Sequence, residues 1–164
     1  MSLQPIMRQA TEYITALTQA TTYNSNGQLL TLLDASGKIL ATFAAQDSKL
    51  GGTSWTVMSY NSGKQAVVSV AIGSKLTAEF SADGKLSGSA GCNNYTATYE
   101  ASGKSIKIGQ AASTRKMCAG PAGVMEQEAQ YLKVLGTAVS YRVEGNQLEF
   151  RSADGALVAK FEKV

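Results

Sequence analysis

The sequence predicts an α+β fold: an antiparallel β half-barrel, or cracked barrel, packed around one helix and preceded by an N-terminal helix–three-strand half-domain. Three observations predict it. Apolar residues alternate with period two through most of the chain, with turn signals roughly every ten residues. A single apolar stripe at helical spacing follows this strand-rich stretch. Residues 7–43 repeat residues 125–161.

The repeat sets the domain boundaries. A shift of 118 positions carries Met7 onto Met125, Tyr13 onto Tyr131, Leu17 onto Leu135, Tyr23 onto Tyr141, Leu30 onto Leu148 and Phe43 onto Phe161, without a gap. The matches fall on expected core and turn positions, which chance composition would not select. Each copy reads as helix, strand, turn, strand, turn, strand. Asn26-Gly27 and Ser36-Gly37 turn the first copy; Gly145-Asn146 and Asp154-Gly155 turn the second. The expected division is 1–43 for a half-domain, 44–52 for a polar linker ending in a glycine pair, and 53–164 for a complete domain.

Residues 53–112 read as strands only. Trp55 and Val57 open one that ends near Tyr60. Residues 66–72 are a β-prone apolar run. Leu76, Ala78 and Phe80 alternate, and Asp83-Gly84 turns the chain into Leu86. Tyr95, Ala97 and Tyr99 alternate next, and Ser102-Gly103 turns into Ile106 and Ile108. Pro121 suits the first turn of the following helix. Met125, Ala129, Leu132 and Leu135 predict its buried face.

Composition narrows the function. The chain has 164 residues, 44% hydrophobic and 16% charged, enough to bury a core. It has no apolar run near the roughly 18 residues of a membrane-spanning helix. Net charge is +3 and the basic residues are scattered, so a nucleic-acid partner is not expected. There is no histidine. His-based triads, Cys–His dyads and His metal sites are therefore excluded. No catalytic residue, metal ligand or cofactor is expected.

The remaining motifs are weighed one at a time. Cys92 and Cys118 are the only cysteines, and three states are open to them: a disulfide, two buried thiols, or a reactive thiol. Gly88-Ser89-Ala90-Gly91 lacks the Gly-Lys-Ser/Thr ending of a phosphate loop and opens no helix, so its glycines are expected to permit close backbone approach. Asn93-Asn94 is expected to supply turn geometry. Ser113 to Lys116 fits Ser-x-x-Lys, but the companion motifs of a serine acyl-enzyme are absent. Arg115 is a candidate ion-pair partner for Glu126 or Glu128. Glu79, Glu100 and Glu149 are expected to face solvent. Trp55, Tyr60, Tyr95, Tyr99, Tyr131 and Tyr141 are expected to fill the core, the alternative being that they line a ligand cavity.

Gly88-Ser89-Ala90-Gly91-Cys92-Asn93-Asn94-Tyr95 resembles the central motif of the META domain family, also called HslJ-like. Trp55 to Tyr60, Leu76 with Phe80, Thr114-Arg115-Lys116-Met117-Cys118, and Glu128 with Tyr131 and Leu132 match the rest of the family pattern in order over residues 53–164. Ala97 departs from it, standing near where relatives often carry glycine.

By the repeat, residues 7–43 then resemble the C-terminal half of a preceding, truncated META domain. The resemblance implies a non-enzymatic cell-envelope module, lipoprotein-like and linked to heat shock and stress response, in the periplasm or at the outer membrane. It also implies an interaction or scaffold role with an unidentified envelope protein as partner. The runner-up is a carrier of a small apolar ligand or lipid. Met1-Ser2-Leu3 reads as an expression start, so a native export signal is expected outside this sequence. An uncovered half-domain is expected to form a homodimer through residues 7–43.

Overall fold

The computed structural model describes residues 4–44, 49–64 and 66–164. The chain divides into two compact units, Met1–Asp47 and Ser48–Val164.

Unit 1 is one helix and a three-stranded meander. Helix α1 (Gln4–Gln19) is followed by β1 (Thr22–Ser25), β2 (Leu29–Leu33) and β3 (Ile39–Ala44), paired in that order. Gly27 and Gly37, both at positive φ, make the two turns. The Asp34 carboxylate accepts from the Ser36 hydroxyl and from the backbone N–H of Ser36 and Lys38, closing the second turn. Tyr13 of α1 meets Phe43 of β3 edge to face at 6.3 Å. No residue of α1 is buried.

Unit 2 is a closed antiparallel barrel with one helix. Its strands are β4 (Thr53–Asn61), β5 (Val67–Ser69), β6 (Thr77–Phe80), β7 (Lys85–Ser89), β8 (Asn94–Ser102), β9 (Ser105–Ile108) and β10 (Ala112–Ser113). Helix α2 (Val124–Leu135), β11 (Ser140–Glu144), β12 (Gln147–Arg151) and β13 (Leu157–Lys163) complete it. Around the barrel the order is β8, β7, β6, β4, β13, β12, β11, β9, and β9 returns to β8. The ring thus closes beyond the half-barrel expected. Its seam is the β9–β11 junction, where one pair, Ser140 with Ser105, is flanked by Ile106 N–H donating to Val139 O and Tyr141 N–H to Lys104 O.

Alternation along β8 is regular: Tyr95, Ala97 and Tyr99 point inward while Asn94, Thr96 and Thr98 point out. Trp55, Phe80, Tyr95, Tyr131, Phe150 and Phe161 are the largest side chains filling the interior. Phe80, Phe150 and Phe161 stack edge to face in sequence at 5.9 and 4.9 Å.

The repeat reappears in the strand ladders. Thr22 faces Leu33 as Ser140 faces Arg151, and Leu29 faces Ala44 as Gln147 faces Glu162. The register slips between Leu32 and Leu33 and again between Phe150 and Arg151, at matching positions.

Three expectations are corrected. The linker loses both ends, because Ala44 completes β3 and Leu50 is buried in the barrel core; its residues 45–48 lie outside the described residues. The apolar run 66–72 forms only the short β5, which pairs with the far end of β4. The buried face of α2 is also rotated from the one predicted. Val124, Gln127, Glu128, Tyr131, Val134 and Leu135 are buried, whereas Ala129 is exposed. A hydropathy stripe passes over Gln127 and Glu128, whose polar groups are matched by partners in the barrel.

Candidate functional site

Among the described residues of unit 2 the buried polar residues are Asn93, Gln127 and Glu128, and all three lie where α2 meets the barrel loops. Asn93 is the hub. Its backbone N–H donates to Glu128 Oε2 at 2.7 Å, and its Nδ2 donates to Glu128 Oε1 at 2.8 Å and to Lys116 O at 3.1 Å. Its Oδ1 accepts from the Thr114 hydroxyl and from the Lys116 N–H, both at 2.7 Å. One side chain therefore ties together the turn after β7, the segment after β10 and the helix. The bonds to the Glu128 carboxylate are charge-assisted and short. Gln127 works beside it: Oε1 accepts from Ala71 N–H at 2.6 Å and Nε2 donates to Ser74 Oγ at 2.8 Å.

The glycines of the motif make room for this. A Cβ on Gly88 would sit on the Thr77 carbonyl. At Gly91, where φ is +109°, a Cβ would lie 2.8 Å from Gln127 Nε2 and 3.0 Å from Val124 Cγ2. Both positions accept only glycine, one for close approach of β6 to β7 and one for the turn beneath α2. Between them Ser89 N–H donates to Thr77 Oγ1 at 3.0 Å, and Ala90 is buried and bridged to Leu76. Asn94 is exposed; its backbone N–H donates to Thr114 Oγ1 at 3.3 Å.

Cys92 and Cys118 are joined, with S–S 2.04 Å and Cα–Cα 5.9 Å. The bond fastens the same two segments that Asn93 bridges. Glu128 is bound by Asn93 and not by Arg115, which is exposed. Glu79 and Glu100 are exposed, and Glu149 is half-covered between Arg142 and Arg151.

Deeper in, Tyr95 and Tyr131 share a hydroxyl–hydroxyl hydrogen bond of 3.0 Å, and Tyr95 donates to Thr77 O at 2.9 Å. Burial pushes both phenols well above the ordinary tyrosine range. Tyr60 packs edge to face on Tyr131.

The motif from Gly88 to Tyr95, with Thr114, is thus brought together, and Arg115 is left outside. Sequence reasoning missed Glu128 as the partner of Asn93, and Gln127 and Thr77 entirely. The one signal available was the adjacent polar pair at inward helical positions. Among the described residues every buried side-chain N and O has a hydrogen-bond partner, and no group of acidic or cysteine side chains is arranged to hold a metal. The arrangement can clamp a helix onto a barrel.

Several clefts lie outside this core. One of about 590 Å³ is lined by Leu50, Gly51, Ala82, Gly84, Tyr99 and Tyr141. Another of about 400 Å³ is lined by Ser62, Gly63, Ala129, Gln130, Lys133 and Val134. No described helix is long and apolar enough to cross a membrane.

The family model for the META domain matches residues 48–164, the span of unit 2. No curated protein matches the chain. Among solved structures, an NMR structure of a protein from Burkholderia xenovorans is similar, at 23% identity and TM-score 0.57, covering 70% of this chain and 83% of that one. A second NMR structure is similar at 20% identity and TM-score 0.52, covering 72% and 94%. At these identities the likeness is one of fold.

Proposed function

The chain belongs to the META domain family, and from that premise we propose that it is a non-enzymatic, HslJ-like module of the bacterial cell envelope, serving stress-related interaction or scaffolding. The observation that carries the reading is how the interior is used. Trp55, Phe80, Tyr95, Tyr131, Phe150 and Phe161 fill the barrel, and the buried polar groups are spent on one another. A fold whose polar interior is committed to holding α2 in place offers a rigid body rather than a reaction centre.

The Cys92–Cys118 bond supports an oxidising compartment, since disulfides persist in the periplasm and are reduced in the cytosol. The filled interior also weighs against the carrier reading, which needs an enclosed cavity of a few hundred Å³ inside the barrel. Both clefts described lie at the surface.

Cell fractionation combined with thiol alkylation tests the proposal. The protein is expected in the envelope fraction with no alkylatable thiol until reductant is added. Recovery from the cytosol with both thiols free would overturn it. Native mass spectrometry separates the carrier reading: a co-purifying lipid would favour it, and a bare mass would count against it.

A further inference from the structure

Unit 1 repeats the apolar positions that α2–β13 buries in the barrel core. Tyr131, Leu135 and Leu148 are each 0% exposed, whereas Tyr13, Leu17 and Leu30 at the matching positions are 47%, 39% and 37% exposed. Strand β13 pairs along its outer edge with β4, Ala159 facing Tyr60 and Phe161 facing Val57. The corresponding edge of β3 has no strand partner among the described residues. An apolar face beside an open strand edge is a docking surface for another sheet.

The polar groups identify the occupant. In unit 2, Tyr131 bonds to Tyr95, and Gln127 binds the backbone of Ala71 and the hydroxyl of Ser74. Both are retained in unit 1 as Tyr13 and Gln9. Their counterparts all bond to residues of the β4–β8 half, so a partner of that kind has groups to receive them. A second copy of unit 1 has none that correspond.

We infer that the α1–β3 face of unit 1 docks a β-half of the kind residues 50–113 form, adding a strand antiparallel to β3 in the register that β4 takes on β13. The pattern departs at its buried carboxylate. Glu128 corresponds to Ala10, so the Asn93–Glu128 clamp has no equivalent and the natural occupant does not need one.

The test fuses a second copy of residues 49–119 ahead of Ser2 in the full chain, which preserves the 118-residue offset. Amide hydrogen exchange is read at Ile39–Ala44. Exchange there is expected to slow by about 100-fold relative to the unfused chain, with the protein monomeric. Ala10→Glu supplies the missing carboxylate and is expected to slow exchange further in the fused chain only. Phe43→Asp is expected to abolish the protection while unit 2 stays folded. Unchanged exchange at β3 in the fused chain, with or without Ala10→Glu, would overturn the inference. So would an unfused chain that is already dimeric with β3 protected, since the occupant would then be a second copy.

Discussion

Asn93 grips the Glu128 carboxylate with two N–H groups, one from its backbone and one from its side chain, at 2.7 and 2.8 Å. The two residues lie 35 positions apart, and the grip fixes helix α2 to the barrel. Removing the side chain leaves a buried carboxylate with half its support, and buried charges that lose a partner are costly. Asn93→Ala is expected to destabilise unit 2 by about 3 kcal/mol, and Glu128→Gln by about 1 kcal/mol because an amide retains one acceptor. Urea unfolding at neutral pH measures both. A loss under about 0.5 kcal/mol for Asn93→Ala would show that the clamp is dispensable.

Gly88 and Gly136 offer a paired comparison. A methyl group at Gly88 collides with the Thr77 carbonyl, and backbone cannot move aside as a side chain can. Gly88→Ala is expected to cost about 3 kcal/mol. Gly136 has helical φ of −69° and its nearest obstacle is 3.9 Å away. Gly136→Ala should stabilise by about 0.5 kcal/mol through the unfolded chain. Thermal melts of the two variants should move in opposite directions.

The disulfide closes a loop with a sequence separation of 26. Chain-entropy reasoning puts its contribution at about 3.5 kcal/mol. The Cys92→Ser/Cys118→Ser double variant should unfold at correspondingly lower urea, and reductant should shift the wild type to the same midpoint. Coincident oxidised and reduced curves would contradict this.

The buried phenols predict an alkaline limit. Burial raises Tyr95 and Tyr131 above the ordinary value of 10.0. The folded protein therefore holds these protons more tightly than the unfolded chain does. Their contribution is fully present below about pH 10 and is lost as pH rises from there toward the folded-state values. Tyrosinate absorbance should show these two phenols ionising only as the protein unfolds. Gradual ionisation of all seven tyrosines before unfolding would refute it.

Much of the architecture is legible in the sequence because it rests on local rules. Period-two alternation marks β8 and β12, and the Asp-Gly and Asn-Gly pairs mark the hairpins. The motif around Gly88 and Gly91 announces close backbone approach through its small residues alone. Two things escape. The face of α2 is hidden because Gln127 and Glu128 are polar yet buried, and their partners at Ala71, Ser74 and Asn93 are remote in sequence. The closure of the barrel is hidden because β9 and β11 share a single register pair, too little to leave a periodic trace. Leu50 fell into an expected linker because its polar neighbours outvoted one apolar side chain.

The first and last strands of unit 2 are paired along their length, so Trp55 lies opposite Lys163 and Ser54 O accepts from Val164 N–H at 3.1 Å. The chain enters and leaves the barrel at one place. Such a body can be strung in series, or inserted in a loop of a host protein, without stretching any strand. It should equally survive rewiring, with residue 164 joined to residue 49 by a short tether and new termini cut at the Ser102-Gly103 hairpin. On that expectation the barrel's shape depends on its ring of strand pairings and not on where along the ring the polypeptide begins.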